Sequence, residues 1–185
     1  MSSKAEPKYI HLILYVIIAA LVVLLIKVAY IDPNQIIEKE KYFKTESRLR
    51  MSNLREGERL WQAKYKQFTD NLDSLVTFLK TDPSVEKIMT GTDSITGKPT
   101  NPFSNLSNGE LNWDSLYHSP KTLTRYLLQV DTSIVADTVI NARGRILKID
   151  TTRTIGQRYF IKGPDGFGTI GDVDNEALKN TASWE

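Results

Sequence analysis

The chain has 185 residues, 41% of them apolar and 25% charged, with a formal net charge of +2 and no cysteine. The absence of cysteine excludes disulfides and thiolate metal sites. A small net charge without any Lys/Arg block excludes the electrostatic footprint of a nucleic-acid binder.

A short tail, residues 1–8, precedes an apolar run. Ile10–Ile26 reads IHLILYVIIAALVVLLI, with His11 as its one polar interruption. Taken over residues 9–31, this run reaches the roughly 20 helical residues that cross a bilayer. It is longer than a secretory h-region, and no small-x-small cleavage site follows it. The reading is an uncleaved signal anchor, with the lipid bilayer as its partner. Lys4 and Lys8 lie before the span, and Lys27, Lys39, Lys41 and Lys44 after it. The positive-inside count is therefore nearly balanced. The short N-terminus favours a cytoplasmic start and an exported C-terminal domain.

Asp32-Pro33-Asn34-Gln35 carries the marks of a helix start: a capping side chain, proline at the first position and Gln35 for a capping box. The alternative is one long helix disturbed at Pro33. Phe43, Ser47, Met51, Leu54, Gly57 or Glu58, Trp61, Tyr65 and Phe68 then recur at steps of three and four. A stalk helix over residues 32–68 follows, polar in its first half and packed on a domain in its second. The basic stretch Leu49–Lys66 is interleaved with glutamates and reads as a solvated, salt-bridged face. Gly57 inside the helix reads either as close approach of another element or, equally, as a tolerated surface glycine.

About 155 residues follow the anchor, enough for one domain with a modest core. Thr69 or Asp70 caps a short helix Asn71–Lys80 with the stripe Leu72, Leu75, Val76 and Leu79, and Asp82-Pro83 ends it. Thr90–Asn112 is rich in Gly, Pro, Asn, Ser and Thr, and reads as a loop that is either mobile or a contact surface. Tyr126–Val130, Ser133–Ile140, Arg145–Asp150 and Arg158–Lys162 read as strands, with Asn141-Ala142-Arg143-Gly144 as a hairpin loop. The fold class is α+β: a transmembrane helix, a stalk helix, a short second helix, and an antiparallel sheet of about four strands in a globular region 69–185.

Candidate chemistry is sparse. Gly166-Phe167-Gly168-Thr169-Ile170-Gly171 is a literal GxGxxG, but only fourteen residues follow it. A dinucleotide fold needs a helix and a second parallel strand there, so the glycines read as freedom in a tight loop. His118 has no partners marked in sequence for a triad or metal site. Asp165, Asp172, Asp174 and Glu176 lie close together around the glycine-rich loop. Calcium takes six to eight oxygens, which such a loop can supply. The EF-hand pattern is absent, and a solvated acidic surface is the other reading. Trp61 reads as core, Trp113 as closing the long loop onto the sheet, and Trp184 as tucked against the domain in preference to reaching a partner.

The order of parts, together with Leu60-Trp61-Gln62-Ala63-Lys64-Tyr65-Lys66-Gln67-Phe68-Thr69 and the leucine-rich stretch Leu72–Val76, resembles pseudopilins of type II secretion systems and type IV pilins. The tail from Gly163-Pro164-Asp165-Gly166 to Asp172-Val173-Asp174, closing on Ser183-Trp184, is similar to the calcium loop and terminal tryptophan of the major pseudopilin. That resemblance implies Asp165, Asp172 and Asp174 as calcium ligands. It does not extend to the leader: the family's Gly-Phe junction and internal glutamate have no counterpart at this span. A broader resemblance is to uncleaved, membrane-anchored envelope proteins of Gram-negative bacteria with the same plan.

These features predict a non-enzymatic, single-pass inner-membrane subunit with a periplasmic domain. It would be a pseudopilin-like or scaffold component of a secretion or motility machine, assembled as a homo- or hetero-oligomer with membrane or periplasmic proteins. The alternative is a membrane-tethered periplasmic ligand- or cell-wall-binding module, marked by a pocket lined by Trp113, Tyr117 and Tyr126. A hydrolase would need two carboxylates converging in a cleft, roughly 5–9.5 Å apart as in glycosidases.

Overall fold

A computed structural model of the chain describes residues 8–140 and 145–185. The chain divides into two compact units, Met1–Phe43 and Lys44–Glu185. The hairpin loop expected at 141–144 lies outside the described residues, as does most of the N-terminal tail.

Helix α1 spans Lys8–Ile26, a π-helical turn follows at Lys27–Ile31, and α2 spans Asp32–Tyr65. Of the two readings of Asp32-Pro33, the continuous helix is the one found. Asp32 is itself helical (φ −63°, ψ −45°), and its N–H bonds Lys27 O in the wider π pattern. Proline has no N–H and crowds the preceding turn, and the π turn is a single-turn bulge that lets the helix run on past this fault. The helix is long and apolar enough to cross a membrane. Every residue from Tyr9 to Ile31 has an exposed side chain, as has every one from Pro33 to Tyr42.

In the second unit α2 carries a buried face: Glu46, Ser47, Met51, Asn53, Leu54, Gly57 and Glu58. The helix stops at Tyr65, three residues short of the expected end. Lys66 turns into the left-handed region (φ 64°), and its N–H still bonds Gln62 O at 2.8 Å, as at a helix C-terminus. Helix α3 spans Leu72–Thr81 and buries Leu72, Leu75, Val76, Phe78 and Leu79. Its cap is Asn71, whose side chain accepts from the N–H of Asp73 and Ser74, rather than Thr69 or Asp70. Asp82 both ends α3 and caps a further helix, α4, Pro83–Thr90. Of the two readings of Gly57, close approach is the one found: a Cβ there would lie 2.9 Å from Leu79 Cδ1 of α3.

Among the described residues the sheet has three antiparallel strands in the order β1-β2-β3, with β1 at Leu127–Ile140, β2 at Ile146–Lys162 and β3 at Thr169–Gly171. The expected count of about four is corrected for two reasons. Tyr126–Val130, from Leu127 on, and Ser133–Ile140 belong to one strand, interrupted by a register shift between Val130 and Thr132. Arg145–Asp150, from Ile146 on, and Arg158–Lys162 likewise belong to β2. Asp131 sits at the shift, and its carboxylate accepts from the N–H of Gln157 and Arg158, both at 2.7 Å. An irregularity held by a side chain bends the pair without ending it. β3 escaped notice because it is only three residues long and lies within the glycine-rich segment.

The core joins Met51 and Leu54 of α2 to Leu75 and Val76 of α3, Val85 of α4, Tyr159 and Ile161 of β2 and Ile170 of β3. Each fully buried side chain of this size contributes about 1.5–3 kcal/mol. Phe68 fastens the α2–α3 turn to the sheet: its N–H bonds Gly156 O at 2.7 Å, and its ring lies 4.5 Å from that of Tyr159. Gly156 has φ +71°, and a Cβ there would meet Phe68 O at 2.7 Å. Gly156→Ala should therefore cost roughly 2–4 kcal/mol in urea unfolding. Gly57→Ala should cost less, since Leu79 can shift its methyl groups and alanine restores about 1 kcal/mol of helix propensity.

Candidate functional site

Polar side chains of α2 form the most developed constellation in the second unit. Glu46, Arg50, Asn53 and Gly57 recur at helical spacing, so they share one strip of the helix surface. Glu46 is 3% exposed. Its carboxylate accepts from Arg50 Nε and from Ser107 N–H, both at 2.9 Å. Burial alone would raise its pKa, but the hydrogen bonds from Ser107 and Arg50 outweigh it and hold the carboxyl below its ordinary value. Arg50 also donates to the carbonyls of Ser115 (2.9 Å) and His118 (2.7 Å). Asn53 Nδ2 donates to Ser104 O at 2.8 Å, while its Oδ1 accepts from Ser104 N at 2.9 Å. Ser47 shares a hydrogen bond with the Tyr126 hydroxyl at 3.0 Å, whose pKa burial pushes up to about 12.

The solvated face expected over Leu49–Lys66 is thus only partly found. Arg59 pairs with Glu56, and Lys64 with Asp82, near the surface. Arg50 and Arg55 are half-buried and donate to carbonyls of irregular segments, Arg55 to Asn180 O at 3.4 Å. Glu46 and Glu58 are buried outright. The 46-50-53-57 spacing was the available signal for this second strip, running beside the apolar one.

Glu58 is fully buried. Oε2 accepts from Thr69 N–H at 3.1 Å, and Oε1 has no partner. Burial raises its pKa to about 8, against the pull of the Thr69 bond, and the neighbouring Asp70 adds to the rise. The group therefore holds a proton through neutral pH.

The long loop is not free. Phe103 and Leu106 are buried, and Trp113 packs edge-on against Phe103 with ring centroids 5.0 Å apart. Trp113 thus closes the loop on itself and on α3, where it lines a groove with Leu79, Lys80 and Met89. Tyr126 lines a different groove, with Leu72 and Arg125. Trp61 is half-buried against the core, and Trp184 tucks in as expected, with the Arg48 guanidinium 5.0 Å from its ring. His118 is exposed, and its carbonyl serves Arg50.

The three aspartates of the tail are placed differently. Asp165 accepts from the hydroxyls of Ser119 and Thr122. Asp172 Oδ1 accepts from Asp174 N (2.7 Å) and Asn175 N (3.1 Å), closing a local turn. Asp174 offers its backbone carbonyl to Arg158 at 2.9 Å. Among the described residues no group of three or more His, Cys, Asp or Glu is placed to hold a metal ion. Gly166, Gly168 and Gly171 all have positive φ, in keeping with the tight-loop reading of GxGxxG.

No protein-family model, no curated protein and no solved structure matches this chain. Its functional reading rests on its own residues.

Two measurements follow from this geometry. A raised carboxyl pKa gives stability that is fully present below the ordinary value of 4.5 and is lost as pH rises through about 8. Glu58→Gln keeps an acceptor for Thr69 and cannot ionise. Its stability relative to the wild type should climb from near zero at pH 5 to roughly 2–4 kcal/mol at pH 9, read from urea midpoints. Asp165→Asn should cost about 1–3 kcal/mol through its two hydroxyl partners, equally with and without EGTA. A fall in the wild-type melting temperature on adding EGTA would instead give these carboxylates to calcium.

Proposed function

We propose that this chain is a non-enzymatic, single-pass subunit of a bacterial envelope machine, a pseudopilin-like or scaffold component serving secretion or motility. The observation that carries the reading is the helix Tyr9–Tyr65, whose N-terminal part is apolar on all sides and nowhere buried. Such a surface needs a non-aqueous neighbour. A bilayer supplies it along residues 9–31, and partner helices extend the contact. On this reading the anchor lies in the inner membrane and the domain 44–185 in the periplasm. The domain supports a structural role because its most elaborate side-chain set, Glu46, Arg50, Asn53 and Glu58, is engaged in holding its own backbone.

Extraction of the full chain from its native membrane in mild detergent, followed by light scattering and mass spectrometry, tests this. The expected particle is an oligomer of this chain or a stoichiometric complex with another envelope protein. A strictly monomeric particle with nothing bound, or recovery of the chain in the soluble fraction, would overturn the reading.

A further inference from the structure

β1 forms one edge of the sheet. Backbone groups alternate across a strand, so every second residue directs its N–H and C=O to the same side. Just before β1, Thr124 O accepts from Ser119 N (2.9 Å) and Tyr126 N donates to Tyr117 O (3.2 Å). These bonds use the side of the strand facing away from β2. The same phase brings the backbone groups of Leu128 and Val130 to that outer side. There the 117–119 segment has ended, and no element among the described residues pairs with them.

This stretch is open in three further respects. Leu127 is 45% exposed, and Gln129 is exposed too. Two shallow grooves adjoin the edge, one of about 440 Å³ between Asp70, Asp73 and Arg125, the other of about 360 Å³ reaching Val130 and Val173. They share Asp70 and Leu128, and so form one run beside the strand. From Leu127 to Val130 there is neither the proline nor the lysine that commonly blunts a sheet edge. The run ends at the register shift, where Asp131 turns inward.

The wall of the run is acidic. Asp73 is engaged by Arg125, whereas Asp70 is exposed and makes no hydrogen bond or ion pair among the described residues. We infer that the outer edge of β1 from Leu127 to Val130 takes an extended segment of a partner protein as an added strand, with a lysine or arginine of that segment against Asp70. Main-chain bonds to Leu128 and Val130 provide the affinity and Asp70 the selectivity, as in other strand additions. A second copy of this chain fits less well, because antiparallel pairing of β1 with itself brings two Asp70 walls together. The edge belongs to the domain and does not depend on the reading of the anchor.

The test uses the full chain in nanodiscs and two acetylated ten-residue peptides of alternating valine and threonine, one with a central lysine and one with glutamate there. The lysine peptide should bind at least about tenfold more tightly by fluorescence anisotropy and slow amide exchange at Leu128 and Val130. Asp70→Lys, a change at an exposed position, should reverse the preference. Val130→Pro, which removes an outward N–H, should abolish binding of both peptides. Equal binding of the two peptides, no binding, protection confined to other segments, or edge protection that grows with protein concentration in the absence of peptide would each overturn the proposal.

Discussion

The Asn53 amide reads the backbone of Ser104 in both directions, and around it Glu46 takes the N–H of Ser107 while Arg50 takes the carbonyls of Ser115 and His118. Among the described residues the segment between Thr90 and Trp113 has no helix of its own, and its strand pairing is the isolated bridge of Thr92 with Pro99. Buried backbone groups must still be satisfied. The strip of polar side chains on α2 takes over that task. This converts a composition typical of loose chain into a fixed wall, over which Phe103 and Leu106 can be buried. Loss of one partner would leave a buried acceptor or donor bare, which costs more than the bond itself contributes.

The same helix receives the end of the chain. Arg48 donates to Phe167 O at 3.0 Å and lies over Trp184, while Arg55 bonds Glu185 at 2.8 Å. Ala182 bridges to Ile170 of β3, and Ser183 N bonds Thr169 O at 2.9 Å. β3 is too short to hold a register by itself. It is kept in place by β2 on one side and by the returning tail on the other. Surface ion pairs are worth little in isolation, so the weight of this closure falls on the Trp184 ring and the backbone bonds.

The class of fold and the apolar stripes were legible in the sequence, because periodicity reports burial directly. Met51, Leu54, Leu75, Val76 and Leu79 are found where their spacing put them. What escaped were decisions made by neighbours distant in sequence. Asp-Pro occurs twice with opposite results. At Asp82-Pro83 the aspartate is extended (φ −82°, ψ 123°) and caps α4, as the constraint on residues before proline favours. At Asp32-Pro33 the same dipeptide follows an established helix, which continues through it. Buried Glu58 could not be told from a surface glutamate, since only the approach of Thr69 and Tyr159 desolvates it. The four apparent strands became two because Asp131, a turn former by composition, spends its carboxylate on the opposite strand. For the tail, carboxylate spacing could not tell that Asp165 reaches the hydroxyls of Ser119 and Thr122, while Asp172 closes a local turn onto the N–H of Asp174 and Asn175.

The π turn at Lys27–Ile31 bears on the anchor. Pro33 offers no N–H to the carbonyl four residues earlier, that of Ala29, and Asp32 bonds Lys27 O instead of Val28 O. A bare carbonyl deep in hydrocarbon would cost several kcal/mol. Here the fault comes at the end of the apolar run, flanked by Lys27 and Asp32, the first Lys, Arg, Asp or Glu after Lys8. On the membrane reading proposed above, that position is the bilayer surface, where water can serve the freed carbonyl and Lys27 can reach the headgroups. The irregular turn and the first charges then have one cause: both are tolerable only where the hydrocarbon ends.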